Sequence, residues 1–183
     1  MTARIASSLR RLTAGVISDG GAGARTSLAD VSLLVARLSL AWIFTYYGAG
    51  KLFGAFHGPG LHRSALFFSA TAHLRPGLFF AALAGVIELG GAVCLAVGVG
   101  SRVAALALVG DQVAAILTVT GAHGINSLSA TPGYEFNLTL ASMSFIIVAL
   151  GAGRFSLDAS ITSHRGKLPG RVPQTGRSTK DSP

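Results

Sequence analysis

The chain has 183 residues, of which 15 are Lys or Arg and 7 are Asp or Glu, so its formal net charge is +8. Half of the residues are hydrophobic, only 12% are charged, and the mean hydropathy is +0.58. Soluble domains usually contain about 25% charged residues, so this composition argues against a soluble globule. It also argues against disorder over most of the chain, because disordered segments lack this many apolar side chains. A single cysteine excludes an intrachain disulfide framework.

Residues 1–30 are predicted to form a flexible, basic N-terminal arm. They contain four arginines, and their only apolar stretch, residues 12–17, is too short for the core of a secretory signal. No cleavage is therefore expected there. The glycine-rich run at residues 20–23 costs too much backbone entropy for a stable helix and indicates a flexible lead-in.

Four long apolar runs follow the arm and predict four membrane-spanning helices. Residues 31–50 would rise about 30 Å as a helix, which is the thickness of the hydrocarbon core. Residues 78–99 and 103–121 are of similar length, and the short connector between them requires an antiparallel hairpin. A shorter fourth run covers residues 136–150. The predicted fold class is therefore all-α, a polytopic membrane protein with a four-transmembrane-helix bundle at residues 31–157.

The distribution of basic residues predicts the orientation of this bundle. With four spans, 11 Lys and Arg residues fall on the side of the two termini and 3 on the opposite side, so both termini are expected in the cytoplasm. The basic tail at residues 158–183 is polar and is predicted to be disordered. Because the surplus charge lies in the ends and connectors, it indicates a contact with the lipid bilayer and no nucleic-acid partner.

Three charged residues lie within the apolar runs: Arg37, Glu88 and Asp111. Each would cost about 2.5–3.5 kcal/mol at mid-depth, so they must be paired or hydrated. Helical rise places them about 9, 16 and 12 Å from the cytoplasmic ends of their spans, within reach of one another. We therefore predict a buried Arg37–Glu88–Asp111 cluster. Its two carboxylates and one cation leave one negative charge, which requires either a bound proton or a second cation.

Small residues surround the two acids on the helical period, as a close seam between membrane helices requires. Such a cluster has a functional and a structural interpretation. It could bind a proton, a cation or a quinone head group, or it could only hold the helices in register.

A second polar layer is predicted near the outer surface from Lys51, His123 and Glu135. Lys51 lies close to the same helical stripe as Arg37, and an ion pair between Lys51 and Glu135 would close the bundle. The alternative is a set of solvated helix ends with negligible pairing energy.

The remaining chemistry-bearing residues give weaker indications. His57, His62 and His73 lie in the outer loop, but no cysteine or acidic residue accompanies them there, so metal or haem ligation is not favoured. Cys94 is expected to behave as a small hydrophobe. No nucleotide-binding loop, nucleophile elbow or zinc-protease motif occurs, so the sequence supplies no catalytic, cofactor-binding or metal motif of its own.

Six short motifs occur in order between residues 31 and 158, and the ordered set resembles the DoxX-like family of small bacterial integral membrane proteins. The motifs are Arg37, Gly48-Ala-Gly-Lys-Leu-Phe-Gly54, Glu88-Leu-Gly-Gly91, Gly98 with Arg102, Gly133-Tyr-Glu-Phe-Asn-Leu138 and Gly151-Ala-Gly-Arg-Phe-Ser-Leu-Asp158. The resemblance implies a four-helix bundle, multi-pass in the bacterial cytoplasmic membrane. The family takes its name from a subunit associated with a quinone-linked sulfur-oxidising system, and relatives are linked to thiol and oxidative-stress balance. It implies no catalytic residues for this chain.

The resemblance and the buried charges together predict an accessory subunit of a membrane redox system, quinone- or thiol-linked, rather than a self-contained enzyme. Such a subunit would offer either a polar cavity for a quinone head or a docking face, and its expected partner is a soluble oxidoreductase or another membrane redox subunit. One alternative is a small proton-coupled transporter or channel using Glu88 and Asp111. Its path would be lined by further polar residues, namely Thr118, Thr120, Asn137, Ser142 and Ser144. The other alternative is a membrane scaffold.

Overall fold

The computed structural model of the protein describes residues 22–158 except Ser127 and Ser129, and for residues 22–27 it describes the backbone alone. The predicted N-terminal arm up to residue 21 and the predicted tail from residue 159 lie outside the described residues.

The described chain is helical and contains no strand. Its helices are α1 (Ala22–Phe53), α2 (Gly60–Ala70), α3 (Gly77–Val97), α4 (Ser101–Ala115) and α5 (Glu135–Leu150). A π-helical turn at Ile116–Thr120 and a 3-10 turn at Gly121–His123 continue α4. Among the described residues, Leu28–Phe53, Gly77–Val97 and Ser101–His123 are long and apolar enough to cross a membrane, and α5 is a shorter apolar helix of 16 residues. The predicted all-α membrane bundle is confirmed.

Two boundaries differ from the sequence-based prediction. Helix α1 begins at Ala22, so residues 22–30 of the predicted arm are helical. Adding a residue to an existing helix costs far less free energy than starting a helix. The helix that contains the first apolar span therefore extends toward the N-terminus through Gly23. The loop predicted after the first span also contains the 11-residue helix α2, which an apolar-run criterion cannot detect because α2 is too short to span the membrane.

The bundle has two ends with different structures. We call the end formed by residues 98–100 and 151–158 the turn end, and the end formed by α2 and residues 121–134 the loop end. Helices α1 and α4 run toward the loop end, and α3 and α5 return to the turn end. The beginning of α1 and the end of the described chain meet at the turn end, where Arg154 N donates to Asp30 Oδ1 at 3.0 Å.

The most extensive helix contacts are α1 with α3 and α4 with α5. Large apolar side chains fill the centre, including the fully buried Leu40, Leu95 and Leu108. Other large apolar side chains, such as Val103 and Phe145, lie exposed on the outer surface of the bundle. An apolar outer surface of this kind is suited to contact with the lipid bilayer. In the interior, the contact between α1 and α3 positions the site.

Gly48 marks the close approach of α1 to α3. A Cβ atom at residue 48 would lie 2.7 Å from the backbone nitrogen of Leu89. We expect Gly48→Ala to destabilise the bundle by about 1–3 kcal/mol through overpacking, measured as a lower thermal unfolding midpoint in detergent. Gly90→Ala is the matched control, because nothing lies within 4 Å of a Cβ there. Its midpoint should be unchanged or higher, and equal midpoints for both variants would contradict the close contact.

Candidate functional site

Arg37 is fully buried and binds backbone carbonyls at the turn end. Its Nε donates to Leu95 O at 2.9 Å, and Nη2 donates to Ala96 O at 3.3 Å. Its Nη1 donates to Ala152 O and to Phe155 O. The carbonyls in the last turn of a helix have no partner within that helix, so Arg37 satisfies the end of α3 and fastens the segment after α5 to it.

Asp158 completes this end of the bundle. Its Oδ1 accepts from Gly100 N at 3.1 Å and its Oδ2 from Ser101 N at 3.4 Å, at the N-terminus of α4. Its own backbone nitrogen donates to Gly98 O at 3.1 Å. A carboxylate at a helix N-terminus satisfies unpaired backbone donors and interacts favourably with the helix dipole. Asp158 also lies close enough to Arg37 for their charges to attract.

The structure therefore does not bring Arg37 to the two carboxylates with which the helical depths predict a cluster. The depth estimate considers each span by itself and contains no information about residues 151–158. That segment folds back over the turn end and offers carbonyl acceptors to Arg37. Glu88 and Asp111 lie nearer the loop end, beside a different cation.

That cation is Lys51, in the last turn of α1. Its Nζ forms a salt bridge and a hydrogen bond with Oε1 of Glu88. The Glu88 side chain is 3% exposed and that of Lys51 is 26% exposed. Asp111 lies beside both of them. Glu88 is buried and the other two residues are partly buried, so the contacts within this Lys51–Glu88–Asp111 cluster replace much of the hydration that the three groups would have in water. It carries one cation and two carboxyl groups.

A series of hydrogen bonds extends from the cluster across α4 and α5. Gln112 Nε2 donates to Asp111 Oδ2 at 2.9 Å. Asn137 Nδ2 donates to Gln112 Oε1 at 2.8 Å, and Thr120 Oγ1 donates to Asn137 Oδ1 at 3.2 Å. We call this the polar chain, and it consists of Lys51, Glu88, Asp111, Gln112, Asn137 and Thr120. It connects α1, α3, α4 and α5, so every membrane-crossing element contributes to it.

The π-helical turn at Ile116–Thr120 helps to explain the position of Thr120. An inserted residue per turn changes the direction of the side chains that follow, and such turns are common at functional sites. The Thr120 hydroxyl lies 3.5 Å from Ala115 O, five residues earlier, as well as contacting Asn137. The distortion thus brings a hydroxyl from α4 to the end of the polar chain.

A cavity of about 600 Å³ lies between the helices toward the loop end, with the cluster at its base. Every helix from α1 to α5 contributes to its lining. Aromatic side chains form much of the wall, namely Phe44, Tyr46, Tyr47, Phe56, Phe67, Phe68 and Phe136. Two ring contacts order this wall, Tyr46 with Phe56 at 5.2 Å and Tyr47 with Phe136 at 5.8 Å between centroids. The site therefore combines flat apolar walls with a charged, hydrogen-bonding base.

Residues 32–121, about half of the chain, match the family model described as DoxX. The chain belongs to the DoxX-like family. No curated protein and no solved structure matches it. The matched segment contains Lys51, Glu88 and Asp111, whereas α5 and its contribution to the polar chain lie beyond it. Family membership and the apolar helices together make this DoxX-like chain a multi-pass membrane protein.

The predicted outer polar layer is divided in this DoxX-like bundle. Lys51 reaches the cavity, and its salt bridge is with Glu88, whereas the sequence pattern predicts Glu135. The reason is that the last turns of α1 pack against α3 at Gly48, which directs Lys51 toward the same helix. His123 is exposed, with Nδ1 3.3 Å from Pro132 O, and Glu135 begins α5. Neither lines the cavity.

The loop histidines are also separated. His57 lines the cavity, but His62 and His73 do not. Within residues 22–158, apart from the two undescribed serines, no group of three His, Cys, Asp or Glu side chains is placed to hold a metal ion.

Of the polar residues expected along a transport path, Thr118, Thr120 and Asn137 line the cavity, whereas Ser142 and Ser144 do not. Sequence reasoning missed Gln112, which joins Asp111 to Asn137. The available signal was an amide beside an acid within an apolar span, because a buried amide requires hydrogen-bond partners. The aromatic wall was also missed, since residues from α1, α2, α5 and the connection between α1 and α2 form it and no local pattern relates them.

Proposed function

We propose that this DoxX-like protein is an accessory subunit of a membrane redox system and binds a quinone-type ligand in its cavity. The supporting observation is the aromatic-walled space of about 600 Å³ with the Lys51–Glu88–Asp111 cluster at its base. Small-molecule sites are typically concave, mostly apolar and of about 300–1,000 Å³, with a few polar groups that fix orientation.

Each part of the cavity matches one part of such a ligand. A quinone head is a flat ring that stacks on aromatic side chains, and its oxygens require hydrogen-bonding groups. Tyr47 and Phe136 supply part of the wall, and Lys51 supplies N–H donors beside the carboxyl groups. The apolar tail of the ligand would extend among the apolar side chains toward the lipid.

In this proposal the chain supplies the ligand site and a partner supplies the electron-transfer cofactor. The partner is a soluble oxidoreductase or another membrane redox subunit. The bundle lies in the bacterial cytoplasmic membrane with its turn end facing the cytoplasm, as the distribution of 11 against 3 basic residues favours. Because the cavity lies toward the opposite, loop end, a partner that exchanges electrons with the ligand would contact the loop end.

Proton-coupled transport is the second candidate, and the polar chain is the observation that favours it. A buried acid pair joined to a series of polar side chains is found in proton-translocating membrane proteins. Transport predicts a pH-driven flux in proteoliposomes that Glu88→Gln and Asp111→Asn both abolish. A redox accessory site predicts no such flux.

The test of the redox proposal is retention of quinone during gentle solubilisation. Wild-type protein purified from quinone-containing membranes should carry quinone in its lipid extract together with a redox partner. Lys51→Met should lower the quinone retained per folded protein about tenfold, because a quinone oxygen only accepts and the Lys51 ammonium is its donor, and a hydrogen bond to a charged group contributes about 1.5–3 kcal/mol. Arg154→Met is the matched control, since it removes an exposed cation at the turn end and leaves the cavity intact.

Wild-type protein that leaves quinone-rich membranes without quinone and without a redox partner would contradict the proposal. A scaffold role predicts a third pattern, in which a partner is retained equally by the wild type and by both methionine variants while no quinone is found.

A further inference from the structure

We propose that the cavity selects the reduced, hydroxyl-bearing form of its ligand, the quinol, over the oxidised quinone. This inference rests on the proposed quinone site and adds which redox form the site is built to hold.

The observation that carries it is an unpartnered oxygen at the base of the cavity. Glu88 Oε2 is buried and has no hydrogen-bond partner among the described residues of the chain. The other oxygen, Oε1, is bound by Lys51. A buried acceptor left without a donor costs about 1–3 kcal/mol, so a ligand that supplies a donor there gains that amount in binding.

The neighbouring amide and hydroxyl groups do not supply this donor, because they direct their donors along the polar chain, and Asp111 beside Glu88 is itself a carboxyl group that accepts from Gln112. Thr120 donates to Asn137, Asn137 donates to Gln112, and Gln112 donates to Asp111. These bonds share one direction, from the loop end toward the carboxyl groups. The base of the cavity therefore presents acceptor oxygens, with the Lys51 ammonium beside them.

A quinol and its quinone differ in the property that this base distinguishes. A quinol hydroxyl can donate to Glu88 Oε2 while its oxygen accepts from Lys51 Nζ. A quinone oxygen only accepts, so it can meet Lys51 but leaves Glu88 Oε2 unpaired. Both forms have the same flat ring, so the aromatic walls contribute equally to each. Sites that hydrogen-bond a hydroxyl discriminate strongly against analogues that lack it.

The experiment compares three ligands that share one ring, bound to the full-length protein in lipid nanodiscs under anaerobic conditions. They are a short-tailed ubiquinone, its chemically reduced quinol, and the O,O-dimethyl ether of that quinol, which has no hydroxyl donor. Calorimetry should give a Kd for the quinol about tenfold lower than for the other two. Glu88→Gln, whose amide can donate as well as accept, should reduce this difference to less than about threefold. Asp158→Asn should retain it.

The outcomes separate this inference from the function on which it rests. Equal affinity for all three ligands would overturn the inference and leave the quinone site in place, and it would mean that a proton shared between Glu88 and Asp111 satisfies Oε2. Tighter binding of the quinone would also overturn it. No binding of any ligand would remove the proposed function itself. The ligand series on the wild type decides the question even if Glu88→Gln fails to fold.

Discussion

Replacing Arg37 with methionine is expected to destabilise the bundle by about 3 kcal/mol or more. The guanidinium is fully buried and donates to four carbonyls, two at the end of α3 and two in the segment after α5. Each buried acceptor that loses its donor costs about 1–3 kcal/mol, and methionine fills the space without donating. The expected readout is a lower thermal unfolding midpoint in detergent and a lower yield of folded protein.

Arg154→Met is the matched control, since it makes the same change at the same end of the bundle. The Arg154 side chain is 74% exposed and its guanidinium lies 3.9 Å from Asp30, so its loss should change stability by less than about 1 kcal/mol. Arg37→Lys should fall between the two, because an ammonium lacks the planar fork that reaches both segments at once. An Arg37→Met midpoint equal to that of Arg154→Met would show that the turn-end contacts contribute little.

Removing Lys51 alone is expected to harm the protein more than removing it together with the charge on Glu88. Lys51→Met leaves the Glu88 carboxylate buried without its counter-ion, which costs about 3–5 kcal/mol when a buried pair is broken on one side. Lys51→Met/Glu88→Gln removes the unpaired charge of Glu88 and should recover part of the loss, while Asp111 still lacks the Lys51 ammonium. The four unfolding midpoints, for the wild type, the two single variants and the double variant, form a cycle that measures the coupling.

The same cycle can be made with Glu135 in place of Glu88. Lys51→Met/Glu135→Gln should show no recovery, because the salt bridge of Lys51 is with Glu88. Recovery with Glu135→Gln and none with Glu88→Gln would restore the ion pair that the sequence pattern predicts and contradict the assignment of Lys51 to the cavity cluster.

The fold was largely predictable from hydropathy because a bilayer imposes a length and a composition on every span. The predicted span at residues 78–99 corresponds to α3, and the predicted span at 103–121 corresponds to α4 with its π-helical turn. Helix α2 was not predictable in this way. It is too short to cross a membrane. Its contribution to the cavity wall depends on how it packs against the other helices.

Hydropathy along the chain is enough to show that Arg37, Glu88 and Asp111 are charged groups that must be satisfied within an apolar bundle. Their partners follow from the packing of the helices and are carbonyls for Arg37 and Lys51 for Glu88. The two kinds of information differ because the underlying effects act over different ranges. Hydropathy and helical period depend only on the residues of one helix, so both can be read from a local stretch of sequence. The choice of partner depends on differences of a few ångströms in the distances between side chains on different helices. Those distances are set by the close packing at Gly48 and by the return of residues 151–158 across the turn end.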